Sequence, residues 1–205
     1  MAHELEIING QAQMAYVGQV PWHGLGKRVS PDLTPNEMLI EAGLDWLVEK
    51  QDIYLDDHET KLKQKALVRS SDKSILTIVG DGWNPVQNAD AFEFFNDFVL
   101  SGNMEMHTAG SLKNGKMVWA LAKTKDSFNV FHGDEVEGYL LFSNPHQFGK
   151  SIDVRFTSVR TVCNNTLTYA LDEKSKHQVR LTHGRKFDGD MVKEALGISK
   201  DKLEM

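Results

Sequence analysis

The stretch Glu105-Met-His-Thr-Ala-Gly-Ser-Leu-Lys-Asn-Gly-Lys-Met-Val-Trp-Ala-Leu-Ala-Lys-Thr124 decides the fold class. Two apolar-rich runs, 105–112 and 116–124, flank Lys113-Asn114-Gly115. Asn and Gly tolerate the positive φ of a tight hairpin turn, so the pattern predicts two antiparallel neighbours. Upstream, 46–55, 61–69 and 75–79 read as strands separated by Asp56-Asp57-His58-Glu59 and by 70–73, which predicts a three-stranded meander. Downstream, 137–143 is a strand, Ile152, Val154 and Phe156 alternate in the next, and 177–182 is the last.

Helices interrupt these strands. Thr34 is placed as an N-cap, with Pro35 at the first helical position and Glu37 three residues after the cap. The helix 35–41 should end at Gly43. Asn88 should cap a helix over about 89–100 whose apolar positions repeat near 3.6, with Gly102 as its stop. Val159, Val162, Cys163, Thr166, Leu167, Ala170 and Leu171 fall on one helical stripe, and 188–196 is a short final helix. Hairpins broken by helices predict an α+β fold: an antiparallel sheet of hairpins and a meander, with helices packed on one face. The chain is expected to be one domain over 1–205. Its segment 1–34 is expected to be irregular, because Pro21, Pro31, Gly18, Gly24 and Gly26 punctuate it.

The 205 residues are 40% hydrophobic and 25% charged, ordinary values for a globular chain. No apolar run reaches the roughly 18 residues of a membrane helix. Met1–Asn9 carries Glu4 and Glu6 and does not resemble a secretory signal, so the expectation is a cytoplasmic protein with no membrane partner. Cys163 is the single cysteine. The net charge of −6 is unevenly spread: residues 1–106 hold 8 basic and 17 acidic side chains, whereas 146–186 hold 8 basic and 3 acidic. This is either chance segregation or a basic face that meets an anion.

Gly24-Leu25-Gly26-Lys27 fails as a phosphate loop, since Pro21 stands where the first glycine belongs and Arg28 where Ser or Thr would hold magnesium. The eight histidines show no metal-ligand spacing, and no cofactor or metal is expected. Arg155 is placed on a strand and Arg160 at a helix start, with Asn164 and Asn165 inside that helix. Asparagine is a poor helix former, so the pair either caps a short helix or, as Arg160 and Asn164 four apart, presents a donor pair.

Ordered blocks run along the chain: Trp22-His23-Gly24-Leu25-Gly26; Pro85-Val86-Gln87-Asn88; His107-Thr108-Ala109-Gly110-Ser111-Leu112 with Gly115 and Trp119; Ser143-Asn144-Pro145-His146; Arg160-Thr161-Val162-Cys163-Asn164-Asn165-Thr166-Leu167. In these the sequence resembles the phage- and plasmid-related proteins of domain-of-unknown-function family 932. One departure is Gln147-Phe148-Gly149, where the family often has Asp-Gly. Longer members imply a C-terminal extension that this chain would lack. The resemblance implies DNA processing, recombination or protection from host defences. The meander-plus-helix pattern is similar to the core of ring-forming single-strand annealing proteins.

Three functions are therefore expected to compete. The first is single-stranded nucleic-acid binding, with a homo-oligomer as one form. It would use Arg155, Arg160, Asn164, Lys174, Lys176, Arg180 and Arg185, with Trp22, Trp83 and Tyr139 for stacking. The second is an enzyme acting on a nucleotide or nucleic acid. The third is an antagonist of a host defence enzyme, its acidic half imitating DNA. The polar family residues Trp22, His23, Asn88, His107, Asn144, His146 and Asn165 are expected to form one surface, with His107, Asn144, His146, Arg160 and Asn164 sharing a cleft.

The stripe also places the Cys163 sulfur in the core. Cys163→Ala should cost about 1 kcal/mol or somewhat more and leave binding intact. Rapid labelling of the native thiol at neutral pH would contradict burial.

Overall fold

The computed structural model describes residues 3–125 and 137–198. In chain order these form β1 (Ile7–Ile8), β2 (Gln11–Ala12), β3 (Met14–Val17), β4 (Lys27–Val29), α1 (Pro35–Glu41), β5 (Val48–Tyr54), β6 (Lys61–Arg69), β7 (Ile75–Val79), α2 (Asn88–Glu93), α3 (Asn96–Leu100), β8 (Met104–Leu112), β9 (Met117–Thr124), β10 (Tyr139–Pro145), β11 (Ile152–Thr157), α4 (Asn164–Asp172), β12 (Gln178–Leu181) and α5 (Gly189–Ala195). The fold is α+β. A seven-stranded sheet has the order β12-β11-β10-β9-β8-β3-β4, antiparallel throughout except for the parallel pair β3/β4. The meander β5-β6-β7 is a separate three-stranded sheet. Among the described residues, no helix is long and apolar enough to cross a membrane.

Both faces of the large sheet are covered, so its central strands are apolar on both sides. One face carries Met104, Met106, Ala109, Val118, Ala120, Leu140, Phe142 and Val154 against α1, α2, α3, α5 and the inner side of the meander. The other carries Met14, Tyr16, Trp119, Leu121 and Leu141 against Cys163, Leu167 and Ala170 of the α4 region. Cys163 is fully buried, though as the extended N-cap of α4 rather than as part of a helical stripe.

The local signals at 34–43 are realised as read. The Thr34 hydroxyl accepts from the Glu37 amide, and the Glu37 carboxylate accepts from Thr34 N–H. Three other readings change. The segment 1–34 contributes two strands to the large sheet, β3 and β4. All four residues of β3 are buried, and a strand buried on both faces carries no alternation to read. The helix expected over 89–100 is broken into α2 and α3. Phe95 N–H bonds to Phe92 O, only three residues back, and this tighter turn lets Phe92, Phe94, Phe95 and Phe98 all reach the core. The helix expected from Val159 begins only at Asn164, and 158–163 crosses the sheet as irregular chain.

A close approach explains the glycine of the 107–112 block. Gly110 pairs with Trp119 across β8/β9, and a Cβ there would lie inside van der Waals contact of the indole ring. The indole N–H donates to Thr108 Oγ1 at 3.2 Å, and the Thr108 hydroxyl donates to Thr161 O at 2.5 Å. Gly110→Ala should therefore destabilise by overpacking, by about 1–3 kcal/mol, lowering Tm by about 2–4 °C per kcal/mol for a chain this size. An unchanged melting curve would show that the indole has room to move.

Candidate functional site

The expected single cleft is two clusters on opposite faces of the sheet. The reason is the strand period of two: β10 sends Leu140, Phe142 and Asn144 to one face and Tyr139, Leu141 and Ser143 to the other.

On the helical face, the 84–88 segment is strapped to the end of β10. Asn144 Nδ2 donates to Val86 O at 2.9 Å, and His146 Nε2 bonds Asn88 Oδ1 at 2.8 Å. Asn88 Nδ2 donates to Leu44 O, so its Oδ1 is the acceptor and His146 must carry its proton on Nε2. Gln87 bonds both the N–H and the C=O of Val48. His183 holds Asn84 in the same way and stacks on Trp83, ring centroids 3.7 Å apart. Asn88 and Asn144 are fully buried, and these residues serve the fold. Trp83 is half-buried, with one ring face stacked on His183.

On the α4 face lie His107, Arg160 and the Trp22–Gly26 block. A register shift between Met106 and Thr108 makes a bulge at His107, and a bulge re-aims its side chain. Arg160 Nε donates to His107 Nε2 at 3.0 Å, while its Nη2 donates to the carbonyls of Val17 and Gln19. His107 therefore carries its proton on Nδ1, which has no hydrogen-bond partner among the described residues. Tyr139 packs 5.3 Å from the His107 ring and donates to Glu137, which Lys123 also engages. His23 reaches Val162 O through Nε2 and accepts from Leu25 N–H at Nδ1. Trp22 stands beside it, exposed.

The expected cations divide. Arg155 is fully buried: it takes Asp153 with two donors and the carbonyls of Ala170, Leu171 and Glu173 with Nη1. It caps the C-terminus of α4 and cannot reach a ligand. Arg160 is half-buried, its Nε and Nη2 engaged by His107 and two carbonyls, and it lies before α4 rather than on a helix face with Asn164. Tyr139 is buried. Lys174, Lys176, Arg180 and Arg185 are exposed along the end of α4, the edge strand β12 and the loop beyond it, and Asn165 is exposed in the first turn of α4.

Between α4 and the 147–151 loop runs a groove of about 370 Å³. Its lining includes Lys113, Lys150 and Arg180 together with Ser143, Asn164 and Thr168. Asp153 and Asp172 line it as well. Two exposed aromatics lie outside that lining, Phe148 in the neighbouring loop at 66% exposure and Tyr169 on α4 at 69%. Sequence reasoning missed both. Their signals were present: Phe148 lies in the stretch that departs from the family pattern, and Tyr169 lies off the apolar stripe of α4.

Residues 75–205 match the family model described as a domain of unknown function (DUF932). The chain belongs to this family. Four of its five polar blocks lie within the match, and the Trp22–Gly26 block lies before it. No curated protein and no solved structure matches the chain.

Buried histidines give this DUF932 member a pH signature. Burial lowers His107 to about 4, helped by Arg160 and Lys123 and opposed by Glu137. Burial lowers His146 to about 3, with His183 adding to it, and lowers His183 against the pull of two carbonyls. A base with a depressed folded pKa stabilises fully above its unfolded value near 6.5 and loses that contribution as pH falls toward the folded value. Stability should thus drop between about pH 6.5 and 4, by up to about 1.4 kcal/mol per pH unit for each histidine. Denaturant midpoints across that range measure it, and a flat profile would mean charged histidines in the fold. Arg155→Ala should cost about 3–5 kcal/mol, because Asp153 is left buried without its bidentate partner. A variant as stable as the parent would return Arg155 to the list of free cations.

Proposed function

We propose that this protein binds single-stranded nucleic acid on its α4 face, in the setting of phage- or plasmid-linked recombination. The observation that carries this reading is the run of exposed cations Lys174, Lys176 and Arg185 along the end of α4 and the β12 edge, with the exposed aromatic Tyr169 on α4. Single-strand sites need cations that follow the backbone and flat faces on which bases stack. Lys174, Lys176 and Arg185 place charge along the β12 edge, and Lys150 adds to it from the groove, where Lys113 and Arg180 are already paired with Glu4 and Asp153. Tyr169 and Phe148 supply the faces. The opposite face favours this orientation, since its cleft of about 930 Å³ is lined by Asp90, Glu93, Asp97, Asp188 and Asp190 against two lysines. Phosphates are repelled there and drawn to α4.

The test is a titration of a labelled oligonucleotide at several salt concentrations. Affinity should fall with salt, with a log–log slope of about 0.7 per phosphate contact. Lys176→Ala and Arg185→Ala should each flatten that slope by about one contact across all sequences. Phe148→Ala and Tyr169→Ala should each weaken binding by about 1–3 kcal/mol while leaving the slope unchanged. Absence of binding at low salt removes the proposal. Binding indifferent to all four substitutions moves it off this face.

A further inference from the structure

The exposed cations Lys174 and Lys176 follow the C-terminal end of α4. A second contact stands near its start. We infer that Trp22 and Arg160 form a nucleotide-binding point, with a phosphate on Arg160 and a base stacked on Trp22. This deepens the nucleic-acid reading and rests on it.

Two stretches of chain build this surface. The Asn164 N–H donates to His3 O, and the His3 ring lies 6.4 Å from the Trp22 indole, which places Trp22 near the start of α4. The loop before β4 runs along 160–162. Gln19 O accepts from Arg160 Nη2 at 2.6 Å, and His23 Nε2 bonds Val162 O at 3.0 Å. Both ring nitrogens of His23 are engaged, and a turn closes from Gly24 N–H to Pro21 O. The loop is therefore held, and it presents Trp22 at 67% exposure beside Val20 at 52%. An aromatic ring on an anchored loop loses little freedom when a base stacks on it.

Arg160 supplies the charge. Its Nε and Nη2 bond the His107 ring and two carbonyls, all neutral, and its Nη1 has no partner among the described residues. Arg69 is paired with Glu6 and Asp72, and Arg155 with Asp153. Arg160 has no such carboxylate among the described residues. Glu137, the acid of the His107 cluster, is held by Lys123 and Tyr139. The sequence also keeps acids off both stretches: none lies between Glu6 and Asp32, or between Asp153 and Asp172, in a chain of net charge −6. A guanidinium that meets only neutral acceptors keeps its attraction for a phosphate.

Gln19 and Trp22 are three residues apart, at most about 11 Å between Cα atoms, a span that a dinucleotide covers. The nine residues of α4 extend over about 14 Å. A strand lying along the helix would meet Lys176 and Lys174, then Tyr169, then Trp22 and Arg160. The ligand class is a single strand with its bases unpaired, since Trp22 reads a base face.

The experiment titrates the full chain with a short deoxythymidine oligonucleotide and with an abasic strand of equal length, following tryptophan fluorescence and affinity at several salt concentrations. Of the four tryptophans, Trp22 is the exposed one. The thymidine strand should quench its emission and the abasic strand should not. Trp22→Ala should weaken the thymidine strand by about fivefold or more, the worth of one stacked base, and bind the abasic strand like the parent. Gln19→Glu, at an exposed position whose carbonyl already bonds Arg160, gives the guanidinium an acidic neighbour. It should flatten the salt slope by about one contact and keep the thermal midpoint. Three results overturn the contact: strand binding without quenching, Trp22→Ala weakening both strands equally, or a salt slope indifferent to Gln19→Glu. If Lys176→Ala weakens the strand while Trp22→Ala and Gln19→Glu bind like the parent, this contact fails and the α4 reading stands. If the parent binds neither strand at low salt, both fail.

Discussion

A guanidinium without access to solvent holds α4 on the sheet. Arg155 sits on β11 among apolar neighbours, and burying such a charge costs several kcal/mol unless every donor is matched. Here Asp153 takes two donors, and three carbonyls at the end of α4 share a third nitrogen. Those carbonyls are groups that a helix end leaves unsatisfied, so one residue settles two debts of hydrogen bonding at once. The position of α4 follows from this, and with it the groove and the packing of Cys163, Leu167 and Ala170. The irregular segment 158–163 is pinned at its far end by Arg160 and by Thr108. The second face of the sheet is built on polar contacts as much as on apolar ones.

The polar blocks that mark the family are mostly cross-links between distant parts of the chain. Asn144, His146, His183 and Gln87 each bond a segment forty or more residues away or nearly so. Loops buried this deeply must have their backbone groups paired, and side-chain amides and imidazoles supply the partners that no strand provides. His23 does the same for Val162 on the opposite face. Polarity in these motifs reflects backbone bookkeeping in an irregular part of the fold, while the groove draws on less conspicuous residues.

Much of the architecture was legible in the sequence because its signals are local. The capping box at Thr34 and Glu37, the Lys113-Asn114-Gly115 turn and the meander need only neighbours in sequence to specify them. The failures share the opposite property. β3 is hidden because both its faces are covered and no alternation remains. The break between α2 and α3 arises from four phenylalanines competing for one core, which a helical period cannot express. Arg155, Tyr139 and Trp83 carry the residue types of a binding site, and only the tertiary fold shows that they are buried or engaged. Among the expected cations, Lys174, Lys176, Arg180 and Arg185 are recognisable in the sequence as a basic run, whereas Lys113, Lys150 and Ser143 meet at one groove only through the sheet.

The contact between Gly110 and Trp119 has a consequence for how such sequences drift. The two positions are a lock with a single key, because the indole occupies the space of a missing side chain and donates to Thr108 beside it. Neither residue can change first without either a clash or a void, and loss of the indole also strips Thr108 of its donor. Lineages that leave this pair must change both positions and repack 108 and 161 together. Substitutions on the exposed α4 face meet no such barrier, so that surface can diverge quickly around a scaffold that cannot.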